Sequence, residues 1–217
     1  MKFLFFDIEC ACCYKNGCGV ICEFGYVLTD DKLNVIGRDT LLVAPEAKFH
    51  PYVIKNLLAF TKKQYNSASN FEERYEQIRA LLVDKDTVVI GHTTSTDANY
   101  LNFATKRYKL PFINFDFFDI KKIHKYQTNA KDYVSLEKMI IDLNLEFDGR
   151  LHKSEDDAYL TMLAFKELCK MAQTDAKLFL LRYAQFKERT RNGKIKEAKL
   201  PPIESNQDKN RRATGDV

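Results

Sequence analysis

No stretch of this sequence approaches the roughly 18 consecutive apolar residues of a membrane-spanning helix. The apolar FLFF after Lys2 is cut short by Asp7 and Glu9, well below the roughly 7–15 residues of a secretory apolar region. On this reading neither a membrane-spanning helix nor a secretory leader is expected, and a cytoplasmic location is the simplest expectation. No internal repeat is present, which argues against a stacked-repeat architecture. The cysteines lack paired CxxC spacing. Five of the six lie between Cys10 and Cys22. Cys10, Cys12, Cys13, Cys18 and Cys22 could in principle supply a four-coordinate zinc site, but without that pairing reduced thiols are the expectation. Cys169 falls in a helical pattern and reads as core.

What is present suits one α/β domain with an extension. The 217 residues are 45% apolar and 29% charged, an ordinary balance for a folded domain. The net charge of +4 is unevenly spread: residues 187–217 hold nine Lys/Arg and five Asp/Glu, while the other 186 residues hold 25 of each sign. Such a segment attracts phosphates or simply solvates the chain. No aromatic residue follows Phe186, so the polar, basic stretch beyond Gly193 is expected to be disordered. The expected division is a domain over 1–174, a helical extension over 175–192 and a basic tail over 193–217. The start of the extension, 178–186, is amphipathic and compatible with docking a polymerase or another protein.

Periodicity predicts five strands, at 3–8, 20–29, 33–43, 87–91 and 112–118, with a hairpin turn at TDDKLN. Helices are expected over 51–66, 70–83, 96–108, 135–144 and 154–172, and again after Thr174. Asn70 with Glu73, and the serines at 135 and 154, are their start signals. Three strands followed by alternating helices and strands indicate a mixed sheet flanked by helices.

Four acids carry the chemistry. Asp7 and Glu9 are alternate residues at the end of the first strand, so they share a face and lie about 7 Å apart along it. Paired carboxylates there resist ionisation unless a cation balances them, and oxygen ligands suit a hard divalent ion. A strand leaving the core for solvent would look the same. Asp97 and Asp157 each open a helix, where an acid also serves as a cap or a dipole partner; Ser154-Glu155-Asp156-Asp157 is a plausible capping box. Taken singly, none of the four defines a site.

Their order does. FFDIEC gives Asp7-x-Glu9, GHTTSTDANYL places His92 five residues before Asp97, and HKSEDDA places His152 five before Asp157. With EFG at 23–25, FTKKQY at 60–65 and SLE at 135–137, this resembles the DEDDh 3′–5′ exonucleases, the superfamily of proofreading subunits and RNase T-like trimming enzymes. A sister group carries a tyrosine four positions before the last Asp, where this chain has Lys153. The resemblance implies a ribonuclease H-like α/β fold with a five-stranded mixed sheet. It also implies two Mg²⁺, replaceable by Mn²⁺. Asp7 would bridge both ions, Glu9 and Asp157 would complete the first site, Asp97 would act through water, and His152 would be the general base. The substrate would be single-stranded or 3′-overhanging DNA or RNA, with RNA trimming as one alternative and a non-catalytic nucleic-acid-binding module as another. Cys10, Ala11 and Cys12 replace the family's usual small Thr-Thr-Gly run and, with His92, Phe60 and Phe103, are the candidates for nucleotide contact. For His92 a structural hydrogen bond, and for the two phenylalanines core packing, are the plainer readings.

Overall fold

A computed structural model describes residues 1–13 and 19–198. One seven-stranded sheet runs through it in the order β3-β2-β1-β4-β5-β6-β7. The strands are β1 (Lys2–Cys13), β2 (Gly19–Thr29), β3 (Val35–Leu42), β4 (Thr87–Gly91), β5 (Phe115–Asp119), β6 (Glu188–Arg191) and β7 (Lys194–Lys196). β1 pairs antiparallel with β2 and parallel with β4, β4 pairs parallel with β5, and the two edges are antiparallel. The sheet is therefore mixed, as the sequence predicts.

The alternation along β1 sets the layers. Phe3 and Phe5 pack into one core cluster with Ala158, Met162, Phe165 and Phe179. Leu4, Phe6 and Ile8 face the opposite cluster, with Tyr75, Ile78, Ala98 and Leu101. One side is covered by α4 (Ile120–Thr128), α5 (Leu136–Asp142), α6 (Ser154–Met171) and α7 (Ala176–Arg182), the other by α2 (Phe71–Val83) and α3 (Thr94–Arg107). Because side chains alternate with period two, Asp7 and Glu9 continue the Phe3–Phe5 row on the α6 side.

Four expectations are corrected. The sheet has two strands beyond the predicted five: Glu188–Arg191 form β6 rather than the end of a helical extension over 175–192, and Lys194–Lys196 form β7 rather than part of a disordered tail. Asn192 (φ 51°) and Gly193 (φ +72°) close this hairpin, the conformation that an Asn-Gly two-residue turn favours. The hairpin is anchored by the buried Lys122–Glu188 ion pair and by Arg191 on Asp116. The helix predicted over 51–66 is instead a π-turn at Val53–Leu57 and the short α1 (Lys62–Asn66), with Leu58 extended between them. Thr61 and Gln64 form a capping box that starts α1 afresh. Finally, α4, where the sequence predicts no element, follows β5 with no intervening loop, because the Asp119 side chain caps it by accepting from Lys121 N.

Phe179, Leu180 and Phe186 enter the α6-side core, which consumes much of the apolar face read as a docking surface. Among the described residues no helix is long and apolar enough to cross a membrane. Of the basic segment, residues 199–217 lie outside the described residues.

Candidate active site

The parallel strands β1, β4 and β5 end at one edge of the sheet, where open α/β sheets hold their ligands. Asp7 and Glu9 come from β1, Asp97 from the first turn of α3 after β4, and Asp157 from the first turn of α6. Asp97 and Asp157 are 5% and 7% exposed. The Asp7 carboxyl is pushed well above the usual range by burial, then by Asp97, Asp157, Glu9 and Glu23. Burial and then Asp119 and Glu9 raise Asp97. Burial and Glu9 lift Asp157 to about 7, against the backbone N–H and charge of His152, which lower it. The predicted four acids thus form one electrostatic cluster.

His152 stands at its rim. Its side chain is 55% exposed, with Nδ1 3.7 Å from Glu9 Oε1, and Glu9 holds the imidazole pKa above its ordinary value, outweighing burial. Its backbone is left-handed at φ 62°, uncommon outside glycine and turn-forming residues, and its N–H donates to Asp157 Oδ2 at 3.1 Å. Glu9, His152 and Asp157 offer ligand atoms within 4.8 Å of one another.

A divalent cation fits this chemistry. Asp97 Oδ2 and Asp157 Oδ1 are buried oxygens with no hydrogen-bond partner, which is costly unless something else satisfies them. Three of the four carboxyls are pushed toward neutrality by burial and then by neighbouring carboxylates, the condition a shared cation relieves. No grouping of metal-ligating side chains among the described residues includes a cysteine. The Cys13 side chain and Cys18 lie outside the described residues.

The remaining candidates are distributed differently. Glu9 pairs with Glu23, Cys10 with Ile21 and Cys12 with Val20, so β1–β2 pairing shifts register at the site. Such bulges are common beside active sites. Ala11 is fully buried beside Cys22, Phe49, Leu58 and Tyr65, and its carbonyl accepts from His50 N. His92 is engaged at both ring nitrogens, Nε2 with the Val134 carbonyl at 3.1 Å and Nδ1 with Thr93 Oγ1 at 3.2 Å; burial pulls its pKa down to about 4. Phe60 packs edge-on to Tyr65. Phe103 borders Gly19, Ile21 and Phe71 between α3 and β2.

Glu23, within the EFG at 23–25, carries no role predictable from the sequence. It is fully buried. Its Oε1 accepts from Tyr65 Oη, and its Oε2 accepts from Ser154 N at 3.2 Å and Ser154 Oγ at 2.9 Å. It therefore grips the start of the helix that carries Asp157. Gly25 allows the approach: a Cβ there would lie 2.1 Å from Glu155 N. Arg38 on β3 pairs with Glu155 and Asp156, leaving Asp157 as the acid of that turn that faces the cluster. The signal was a Glu directly opposite Glu9 on the neighbouring strand, and its weight depends on that pairing.

A mixed sheet of this topology with an acid cluster and an imidazole at its carboxyl edge defines a nuclease of the ribonuclease H-like fold. Residues 4–165 match the RNase T family, described as exonuclease, and the chain belongs to it, as a DEDDh 3′–5′ exonuclease. Enzymes of this family generally use divalent metal ions. Among similar solved structures is a 3′-exonuclease described in 3′-end-specific recognition of histone mRNA stem-loop. It is 19% identical with TM-score 0.69 over 94% of this chain and 93% of that one. The nuclease domain of 3′hExo, a DEDDh family member bound to rAMP, is 21% identical with TM-score 0.64 over 79% and 92%. E. coli Exonuclease I in complex with a dA16 oligonucleotide is 18% identical with TM-score 0.67 over 85% of this chain but only 43% of its own. No curated protein matches the sequence.

Proposed function

We propose that this exonuclease releases nucleoside monophosphates one at a time from the 3′ end of a single strand, with Asp7, Glu9, Asp97 and Asp157 holding two Mg²⁺ that Mn²⁺ can replace. The observation that carries the reading is the pair of buried, unpartnered carboxylate oxygens on Asp97 and Asp157 within a cluster of mutually repelling acids. When bound, such ions neutralise phosphate charge and lower the pKa of a coordinated water from ~15.7 toward ~7. The chain's own residues do the rest. Asp7 and Glu9 sit on a rigid strand and Asp157 on a helix clamped by Glu23 and Arg38, so ligand positions are fixed before substrate arrives. His152, exposed and on a loop, takes a proton from the attacking water, work for which imidazole is suited near neutral pH.

RNA is the second substrate reading. Two similar structures that match over more than nine-tenths of their own length are described with histone mRNA or rAMP. Hydrolysis of 3′-labelled and 5′-labelled DNA and RNA, with Mg²⁺ and with chelator, tests the proposal. Label released first from the 3′ end, only with metal, is the expected result. Release from the 5′ end, or hydrolysis in chelator, overturns it.

A further inference from the structure

A second cleft, of about 330 Å³, adjoins the acids on the β5 side, lined by Thr93, Ser95, Thr96, Lys121 and Tyr133 among others. Thr96 immediately precedes Asp97, and β5 lies two strands from β1, roughly 10 Å away at the usual strand spacing. The cleft and the acid cluster therefore share one edge of the sheet.

Its walls are braced. Thr93, a β-branched residue, is held left-handed at φ 63°, a conformation that is a genuine outlier for its type. Its N–H donates to the buried Asp119 carboxylate at 3.1 Å, and its hydroxyl accepts from Lys121 Nζ at 3.2 Å. Lys121 and Lys125, one turn apart on α4, place their ammonium groups 5.4 Å and 4.7 Å from the centroid of the Tyr133 ring. Lys125 also donates to the Lys131 carbonyl at 2.8 Å. Among the described residues the lysines found in ion pairs are others, including Lys122, which pairs with Glu188 and Glu197 on the far wall. Asp119 feels the charge of Lys121, but its Oδ1 is taken up by two backbone N–H groups. Tyr133 remains 46% exposed.

Two ammonium groups with no carboxylate partner among the described residues, beside an exposed aromatic ring, match the chemistry of a single nucleic-acid strand, whose phosphates seek cations and whose bases stack on rings. We propose that this cleft holds the strand upstream of the scissile bond, with a phosphate on Lys121 and Lys125 and a base on Tyr133. The proposal rests on the exonuclease reading.

The test is binding in chelator, where nothing is cleaved, of fluorescent oligothymidylates and oligouridylates from about two to about ten nucleotides long, a range spanning common single-strand site sizes. Tyr133→Ala should weaken the long oligonucleotide about tenfold, with the loss growing with length, and Tyr133→Phe should restore it. Lys121→Gln/Lys125→Gln should flatten the dependence of log affinity on log salt by about 0.7, the value for one single-strand phosphate contact. Variants that bind every length with wild-type affinity and salt slope would overturn the proposal. Cleavage by the wild type is scored separately: if it degrades strands while the variants bind normally, only the cleft assignment falls, and if it degrades none, the exonuclease reading falls with it.

Discussion

The backbone N–H of His152 donates to Oδ2 of Asp157 at 3.1 Å. The proposed base and the proposed metal ligand are thus tied through main chain, and Asp157 keeps this partner whatever side chain occupies position 152. His152→Ala should therefore slow hydrolysis by about 10²–10⁴-fold, the usual range for a lost general base, while the metal-induced rise in melting temperature survives. Loss of that rise in the variant would make His152 a ligand instead. Activity measured beside thermal unfolding with and without Mn²⁺ separates the two.

Glu23 works at one remove from the chemistry. Glu23→Ala would leave the Ser154 N–H and the Tyr65 hydroxyl without their acceptor, a loss of about 1–3 kcal/mol for each unsatisfied buried group. It would also loosen the turn that presents Asp157, so the rate should fall along with stability. Glu23→Gln keeps an acceptor oxygen for Ser154 and should recover most of both. Denaturant unfolding and turnover of the two variants check this; equal losses in both would mean that the charge of Glu23, rather than its hydrogen bonds, is what matters.

The acid cluster makes the metal-free protein sensitive to pH in a definite direction. Burial and Glu9 raise the Asp157 carboxyl to about 7, against about 3.9 in an unfolded chain. Between those values the unfolded state has released a proton that the folded state still holds, so stability falls as pH rises and levels off above about 7. Asp7 and Asp97, also raised, act in the same sense. In chelator the melting temperature should drop by several degrees from pH 5 to pH 7.5. Asp157→Asn should reduce the slope, and Mg²⁺ or Mn²⁺ should reverse the drop by binding only the folded state. A melting temperature that rose over this interval would contradict the account.

Much of this was legible in the sequence for a physical reason. Asp7 and Glu9 fall on a period-two strand that ends in acids, and Asp97 and Asp157 fall in the first turns of helices. Local pattern fixes both kinds of position. The missed features depend on partners distant in the chain. Glu23 matters because β2 lies against both β1 and α6, and α4 exists without a loop because Asp119 ends a strand and caps a helix at once. The β6–β7 hairpin carried its own signal in Asn192-Gly193, but its strands are only four and three residues long and polar, and they hold together through Glu188 and Lys122.

The same hairpin relocates the positive charge. Of the net +4 in residues 187–217, Lys187 to Ala198 supply +3 and residues 199–217 only +1. Truncation after Ala198 should therefore change the salt dependence of nucleic-acid binding little, by less than one phosphate contact's worth, roughly 0.7 in slope. Binding titrations over a series of salt concentrations decide it; a larger flattening would give the last nineteen residues a direct part in binding.

The central claim is that four acids form one metal-dependent site for removing 3′-terminal nucleotides. It is tested most directly by turnover of a 3′-labelled oligonucleotide by the wild type, Asp7→Asn and Asp157→Asn, each stripped with chelator and restored with Mg²⁺. The account predicts metal-dependent release of labelled mononucleotide by the wild type. It predicts a loss of at least about 10³-fold in both variants, equivalent to about 4 kcal/mol of transition-state stabilisation, with the fold intact by circular dichroism. Near-normal release by either folded variant after metal restoration would contradict it.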